Sequence, residues 1–177
     1  LLGANERAVL RKLSVFRGSF SAKAAKEIAR AHLFILVALV EKSLLQSTSK
    51  GRFQMHELLR QFAAEKLQAN AEEEVATREQ HSVYYATYLR ERAETLKGSQ
   101  QQSALAEIEA NIENARAGWN WAVAQGHVER LKESMEGLCL FYEWRGRLPE
   151  GETACSQAAE QLEAATSADD LCLLATI

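Results

Sequence analysis

Residues 51–62 read GRFQMHELLRQF, a strand pattern that changes directly into a helix pattern. Residues 52–55 alternate polar and apolar side chains, as a half-buried strand does, and the apolar residues from Leu58 onward recur at helical spacing. His56 lies where the two patterns meet. The first amides of a helix lack partners within the helix and carry the positive end of its dipole. A donor side chain at this position is therefore suited to help bind a phosphate.

Three helices are predicted before this stretch. Asn5 is a suitable N-cap for the first helix, which we expect to end at Gly18. Ser21 is expected to cap the second helix. The third covers about residues 33–43 and begins with the apolar run LFILVALV. Because that run has no Arg, Lys, Asn or Gln to read base edges, we expect the third helix to be buried and this segment not to bind DNA directly.

A β-hairpin is predicted between the third helix and the helix that follows His56. Its strands are residues 44–46 and 53–55, and they flank the polar turn at residues 47–51, which contains a glycine. Three helices, a hairpin and a closing helix predict a winged-helix-like module over residues 1–70.

Residues 71–177 are predicted to be helical throughout, after a junction near residues 69–77 that has few apolar side chains. One helix is expected to end at Gly98, and the next carries an apolar face over residues 105–122 and stops at Gly126. Two further helices are expected, one ending at Gly146 and one with Pro149 in its first turn. Antiparallel helix pairs with short loops are typical of the start of a solenoid. The predicted fold class is therefore mainly α, with one small hairpin.

Aromatic residues cluster in this second part, and their helical spacing favours core packing over a ligand or peptide groove. Trp121 is the exception, because it lies off the main apolar face. The residues of the cluster are Trp119, Trp121, Phe141, Tyr142 and Trp144.

Basic and acidic residues are unevenly distributed between the two parts of the chain. Residues 1–70 hold 12 Lys and Arg against 5 Asp and Glu, and the remaining residues hold 9 against 19. A basic first part is suited to a partner that carries anions, such as phosphate, although a solvated surface is the more common explanation. No apolar run approaches the roughly 20 residues of a membrane-spanning helix, and no signal peptide is recognisable, so we expect a cytoplasmic protein without a membrane partner.

Enzymatic motifs are not found in the sequence. It contains no phosphate loop, no GxSxG nucleophile turn and no HExxH zinc pair, so we expect no catalytic residues and no metal site. Cys139, Cys155 and Cys172 show neither CxxC spacing nor histidines at ligand spacing, and we expect them to be reduced packing residues.

Five short segments of the chain carry a family resemblance. They are residues 13–18 (LSVFRG), 39–45 (LVEKSLL), 55–63 (MHELLRQFA), 109–122 (EANIENARAGWNWA) and 144–147 (WRGR). The first three resemble the winged-helix subdomain of STAND signalling NTPases, which include bacterial regulators of the large LuxR and AfsR type and are related to NB-ARC proteins. The last two resemble the start of the tetratricopeptide-like sensor array in those bacterial regulators.

This resemblance implies a function for Met55, His56 and Glu57, which match the position of the family's Met-His-Asp motif. His56 would contact the β-phosphate of ADP, Met55 would pack in the core, and Glu57 departs from the aspartate of the motif. The ADP or ATP would be held with an upstream nucleotide-binding domain that contains the phosphate loop. The helical array would bind an inducer or protein partner, and signalling would shift a closed ADP form toward an open, oligomerising ATP form.

Alternatives remain open at this point. His56 alone also fits a junction histidine whose ring is satisfied by backbone groups. The other three histidines, His32, His81 and His127, have no partner pattern and are expected to be structural or surface residues. The chain as a whole could instead be a DNA-binding winged helix with a helical effector domain, or a scaffold that binds proteins.

Overall fold

A computed structural model describes residues 2–48 and 51–163. Ser49 and Lys50 of the predicted turn lie outside the described residues, as does Cys172. The described residues are mainly helical with a small antiparallel sheet, which confirms the predicted fold class. The chain divides into two compact units, Leu1–Tyr84 (unit 1) and Tyr85–Ile177 (unit 2).

The described residues of unit 1 form four helices, three two-residue strands and the first part of a long fifth helix. In chain order they are α1 (Ala4–Leu13), β1 (Ser19–Phe20), α2 (Ala22–Ala29), α3 (Leu33–Glu41), β2 (Gln46–Ser47), β3 (Phe53–Gln54), α4 (Glu57–Gln68) and α5 (Ala71–Leu96).

The first helix is shorter than predicted. It begins at Ala4 with Gly3 as its N-cap rather than Asn5, and Glu6 Oε2 accepts the Gly3 amide hydrogen at 2.7 Å. It ends at Leu13 rather than near Gly18, because the next amides fold into tight turns; the Ser14 amide, for example, donates to the Arg11 carbonyl at 3.1 Å. The predicted cap of α2 is confirmed, since Ser21 Oγ accepts the Ala24 amide hydrogen at 3.1 Å.

The sheet has the order β1-β3-β2 with both pairs antiparallel. The hairpin of β2 and β3 was predicted, but β2 starts later than expected because the Leu44 and Leu45 amides donate to the Leu39 carbonyl and close the end of α3. Strand β1 was not predicted. Its two residues are too few to show any periodicity, and it forms only by pairing with β3, Phe20 opposite Phe53.

The core of unit 1 is built around stacked aromatic rings. Phe16 and Phe20 stack with centroids 4.3 Å apart, and Phe53 lies 6.3 Å from Phe20. His81, on α5, meets the edge of Phe16 at 5.5 Å and is buried. These rings join the end of α1, the sheet and α5 into one hydrophobic core.

The prediction that α3 is buried is only partly right. Ile35, Leu36 and Leu39 are buried, whereas Leu33, Phe34 and Val37 are exposed, Phe34 by 69%. The reason is geometric, since a helix that packs against the unit with one face leaves the opposite face in solvent however apolar its sequence is. The exposed face is therefore apolar rather than basic.

The predicted junction at residues 69–77 is helical from Ala71. Asn70 Oδ1 accepts the Glu73 amide hydrogen at 3.2 Å at the start of α5. The Glu73 carboxylate also pairs with Arg11 at 3.1 Å and with Lys12 at 3.6 Å, which fastens α5 to α1. The two compact units divide inside α5, and the assignment of domains to residues 1–70 and 71–177 stays a prediction.

Unit 2 continues α5 and adds α6 (Gln101–Glu109), α7 (Ile112–Ala124), α8 (Val128–Trp144) and α9 (Leu148–Glu163). The single helix expected over residues 105–122 is in fact two. The break lies at Asn111, whose buried amide donates to the Glu107 carbonyl at 2.8 Å and to Tyr88 Oη at 3.0 Å. A side chain that hydrogen-bonds nearby groups in this way competes with continued helix.

Other predictions for unit 2 are confirmed. Gly126 and Gly146 follow α7 and α8 with φ of +66° and +65°, values that favour glycine at helix ends. Pro149 lies in the first turn of α9. Core packing is confirmed for Trp119, Phe141 and Tyr142, whereas Trp144 is exposed and Trp121 is half-buried.

In the part of the chain that the structure describes, no helix combines the length and the apolar character needed to span a bilayer.

Candidate functional site

His56 is the N-cap of α4, and its side chain is exposed. Its Nδ1 accepts the Leu58 amide hydrogen at 3.3 Å, so the proton of the neutral ring is assigned to Nε2. Met55, just before it, is buried and holds the chain to the core. The ring therefore satisfies a helix amide with one nitrogen and presents a donor N–H with the other.

Glu57 and Arg60 form a two-pronged ion pair on the first turn of α4. Arg60 Nε donates to Glu57 Oε2 at 2.8 Å and Arg60 Nη2 to Glu57 Oε1 at 2.6 Å, and Gln61 Nε2 donates to the same Oε1 at 3.0 Å. The hydrogen bonds from Arg60, then that from Gln61, lower the pKa of Glu57 from its ordinary 4.5 to about 2. Glu57 therefore stays ionised throughout the physiological pH range.

Arg60 also fastens α4 to the end of α1. Its Nη1 donates to the Ser14 carbonyl at 3.2 Å, and its side chain is only 13% exposed. The hydrogen bond to Glu57 is the main cause that raises the pKa of Arg60. The guanidinium is thus held by two elements of unit 1 and has little freedom to move.

The guanidinium group of Arg17 interacts with those of Arg60 and Arg78. The pKa of Arg17 is lowered, first by burial and then by the positive charges of Arg60 and Arg78. Arg78 pairs with Glu74 at 2.9 Å. We call Arg17, Arg60 and Arg78 the arginine cluster. It was not predicted, because its members come from the segment after α1, from α4 and from α5, and only folding brings them together.

The ion pair on α4 makes a direct prediction. Changing Arg60 to glutamine should raise the pKa of Glu57 from about 2 toward 4.5, because the largest cause of the shift is removed. Since the folded-state pKa lies below the ordinary value, the wild-type carboxylate contributes stability above about pH 4.5 that is lost as pH falls toward 2. Carboxyl carbon NMR across this pH range would measure the titration of Glu57 in the wild type and in Arg60→Gln. An unchanged Glu57 pKa in the variant would contradict Arg60 as the cause of the shift.

The remaining histidines behave as structural or surface residues, as predicted. His32 is the exposed N-cap of α3, makes no side-chain cap bond, and stacks on Phe34 with centroids 5.9 Å apart. His81 is buried against Phe16. His127 is the half-buried N-cap of α8.

Two cysteines lie closer together than the sequence suggested. The Sγ atoms of Cys139 on α8 and Cys155 on α9 are 4.0 Å apart. Their separation of 16 residues matches no recognised motif, and only the packing of the two helices brings them together. Within residues 2–48 and 51–163, no group of three or more His, Cys, Asp or Glu side chains could hold a metal ion.

Comparison with known proteins shows similarity to large mycobacterial proteins. "Putative HTH-type transcriptional regulator Rv0890c" of Mycobacterium tuberculosis is 30% identical over 161 residues, which covers 85% of this chain and 18% of that protein. "Putative HTH-type transcriptional regulator Mb0914c" of Mycobacterium bovis shows the same identity and coverage. No family model matches the chain. No solved structure matches it either. The chain spans less than a fifth of the length of these relatives and is similar to a segment of proteins that are named as transcriptional regulators.

Proposed function

We propose that this chain is a non-enzymatic regulatory segment of a cytoplasmic STAND-type signalling ATPase that controls transcription. Unit 1 is its winged-helix switch module, and unit 2 begins a TPR-like array that binds an inducer or a protein partner. The observation that carries the proposal is the exposed ring of His56 at the start of α4, whose Nδ1 accepts the Leu58 amide hydrogen. This bond assigns the proton of the neutral ring to Nε2. The names of the relatives support a regulatory role.

In this proposal His56 donates its Nε2–H to the β-phosphate of ADP, which an upstream nucleotide-binding domain holds in its phosphate loop. Three features of unit 1 support an anion at this position. The Leu58 amide bond orients the ring. The start of α4 adds the positive end of the helix dipole. Arg17 of the arginine cluster interacts electrostatically with Glu57, the first residue of α4, and so places a further positive charge near this helix start.

Glu57 does not oppose the phosphate in this arrangement. A free carboxylate next to a phosphate would repel it, but both oxygens of Glu57 accept hydrogen bonds from Arg60. The pair is held to the Ser14 carbonyl, which fixes the negative charge beside its positive partner. The longer Glu57 side chain is therefore compatible with an anion at His56, although it departs from the aspartate of the family motif.

Direct DNA binding by unit 1 is not part of the proposal. The exposed face of α3 consists of Leu33, Phe34 and Val37, and apolar side chains of this kind cannot read the hydrogen-bonding groups of base edges. The relatives that are named as HTH-type regulators are more than five times as long as the matched segment. The DNA-binding part of such a protein is then proposed to lie outside this segment.

The test is ADP release from the full-length protein that contains this segment. His56→Ala should speed the dissociation of labelled ADP by about tenfold or more, because a hydrogen bond to a charged group contributes about 1.5–3 kcal/mol. It should also raise basal transcriptional output. Stopped-flow release of a fluorescent ADP analogue would measure the first effect and a reporter assay the second.

His32→Ala is the matched control. His32 is also an exposed histidine at the N-cap of a helix of unit 1, but its side chain makes no cap bond. It should release ADP at the wild-type rate. Equal release rates for the wild type and His56→Ala would reject the phosphate contact, and equal acceleration by both variants would indicate a general effect on stability.

A further inference from the structure

We propose that Cys139 and Cys155 form a dithiol site that a hydroperoxide oxidises to a disulfide, linking α8 to α9. The inference concerns unit 2 alone and is independent of nucleotide binding at His56. Its basis is the distance of 4.0 Å between the two Sγ atoms, which belong to two helices packed against each other.

The helix packing explains why the two thiols meet. A Cβ atom at Gly151 of α9 would lie only 3.2 Å from Tyr142 Cβ of α8, so the glycine allows the helices to approach closely there. On α8, Cys139 lies three residues before Tyr142, and on α9, Cys155 lies four residues after Gly151. Residues three or four apart share a helix face, so both cysteines lie on the faces that meet where Gly151 contacts Tyr142. A disulfide requires an S–S distance of about 2.05 Å, so the sulfurs must approach by about 2 Å.

The site is open to a small oxidant. Both cysteines line an open cleft of about 560 Å³ rather than a sealed core. Cys139 is exposed and Cys155 is buried. The hydrogen bond between the two thiols lowers the pKa of Cys155, whereas the same hydrogen bond and burial raise the pKa of Cys139. A lowered pKa favours the thiolate, which is the reactive form, so Cys155 is assigned as the attacking thiol.

The reaction balances with a hydroperoxide as the only oxidant. The Cys155 thiolate attacks one peroxide oxygen, an S–O bond forms, the O–O bond breaks, and the departing oxygen takes up a proton to leave as water or an alcohol. The Cys155 sulfenic acid is then attacked by Cys139, which gives up its proton. The S–S bond forms, the S–O bond breaks, and the hydroxyl group leaves as water. Two thiols are oxidised and one peroxide is reduced.

The experiment treats the reduced 177-residue chain with one equivalent of hydrogen peroxide, followed by alkylation and digestion. Trypsin releases Cys139 in the peptide 133–145 but leaves Cys155 and Cys172 together, because no Lys or Arg follows Arg147. A second cleavage after Glu160 or Glu163 separates them. Mass spectrometry should then identify one cross-linked pair, Cys139 with Cys155.

Three variants complete the test. Cys172→Ser should form the same disulfide as the wild type. Cys139→Ser should form none and should accumulate a Cys155 sulfenic acid that dimedone traps. Cys155→Ser should leave Cys139 reduced at this dose. The oxidised wild type should melt at a higher temperature than its reduced form, and Cys139→Ser should show no such rise. The proposal is overturned if Cys139 and Cys155 remain alkylatable after peroxide, or if the disulfide formed involves Cys172.

Discussion

Phe20→Ala is expected to lower the free energy of unfolding of unit 1 by about 3–5 kcal/mol, the usual cost of removing a buried aromatic side chain. Phe20 has no exposed surface, stacks on Phe16 at 4.3 Å and pairs with Phe53 across β1 and β3. The substitution therefore leaves a cavity where the sheet meets the end of α1. A loss of this size is a large part of the stability of a typical domain.

Phe34→Ala is the matched control, because the same atoms are removed from a side chain that is 69% exposed on α3. It should change stability by less than about 0.5 kcal/mol. All three tryptophans lie in unit 2, so tryptophan emission does not report on unit 1. Hydrogen exchange of peptides from residues 4–29, measured by mass spectrometry in urea, would follow unit 1 directly. Equal losses in the two variants would contradict the core position of Phe20.

Gly137→Ala is expected to destabilise unit 2 by about 1–3 kcal/mol, the usual range for overpacking a core. Gly137 lies within α8, where alanine is normally favoured over glycine by up to about 1 kcal/mol. At Gly137 we expect the opposite effect on stability. A Cβ atom at Gly137 would lie 2.4 Å from the Leu89 carbonyl oxygen and 2.8 Å from its carbon, so the backbones of α5 and α8 would have to move apart.

Gly98→Ala is the control within the same unit. The nearest atom to a Cβ at Gly98 is the Thr95 carbonyl oxygen at 3.7 Å, an ordinary contact, so stability should hardly change. Urea denaturation followed by tryptophan emission measures both variants, because the tryptophans report on unit 2. If Gly137→Ala were as stable as the wild type or more so, the close approach of α5 and α8 would be wrong.

Features that depend on residues close together in the sequence were predicted. Ser21 caps α2, glycines end α7 and α8, and the apolar spacing identifies Trp119 and Phe141 as core residues. The change from strand to helix at His56 also follows from the local pattern, and so does the position of that histidine at the N-cap of α4. In each case the physical cause acts within one or two helical turns, where residue types and their spacing are enough to decide the outcome.

Features that depend on contacts between distant segments were not predicted. Two-residue strand β1 exists only because β3 lies beside it. Which side of α3 is exposed depends on which face of the helix packs against the rest of unit 1. The break at Asn111 depends on a hydrogen bond to Tyr88.

The sequence by itself determined the mainly helical class, the hairpin and the histidine at the head of α4. Only the tertiary structure decided which charges surround that helix and which thiols meet, since the arginine cluster draws on three segments and Cys139 meets Cys155 from another helix. The physical reason is range. Helix caps and the apolar periodicity of a helix depend on residues that are close in sequence. The arginine cluster and the thiol pair join residues that are distant in sequence, and the packing of whole helices decides whether such residues meet.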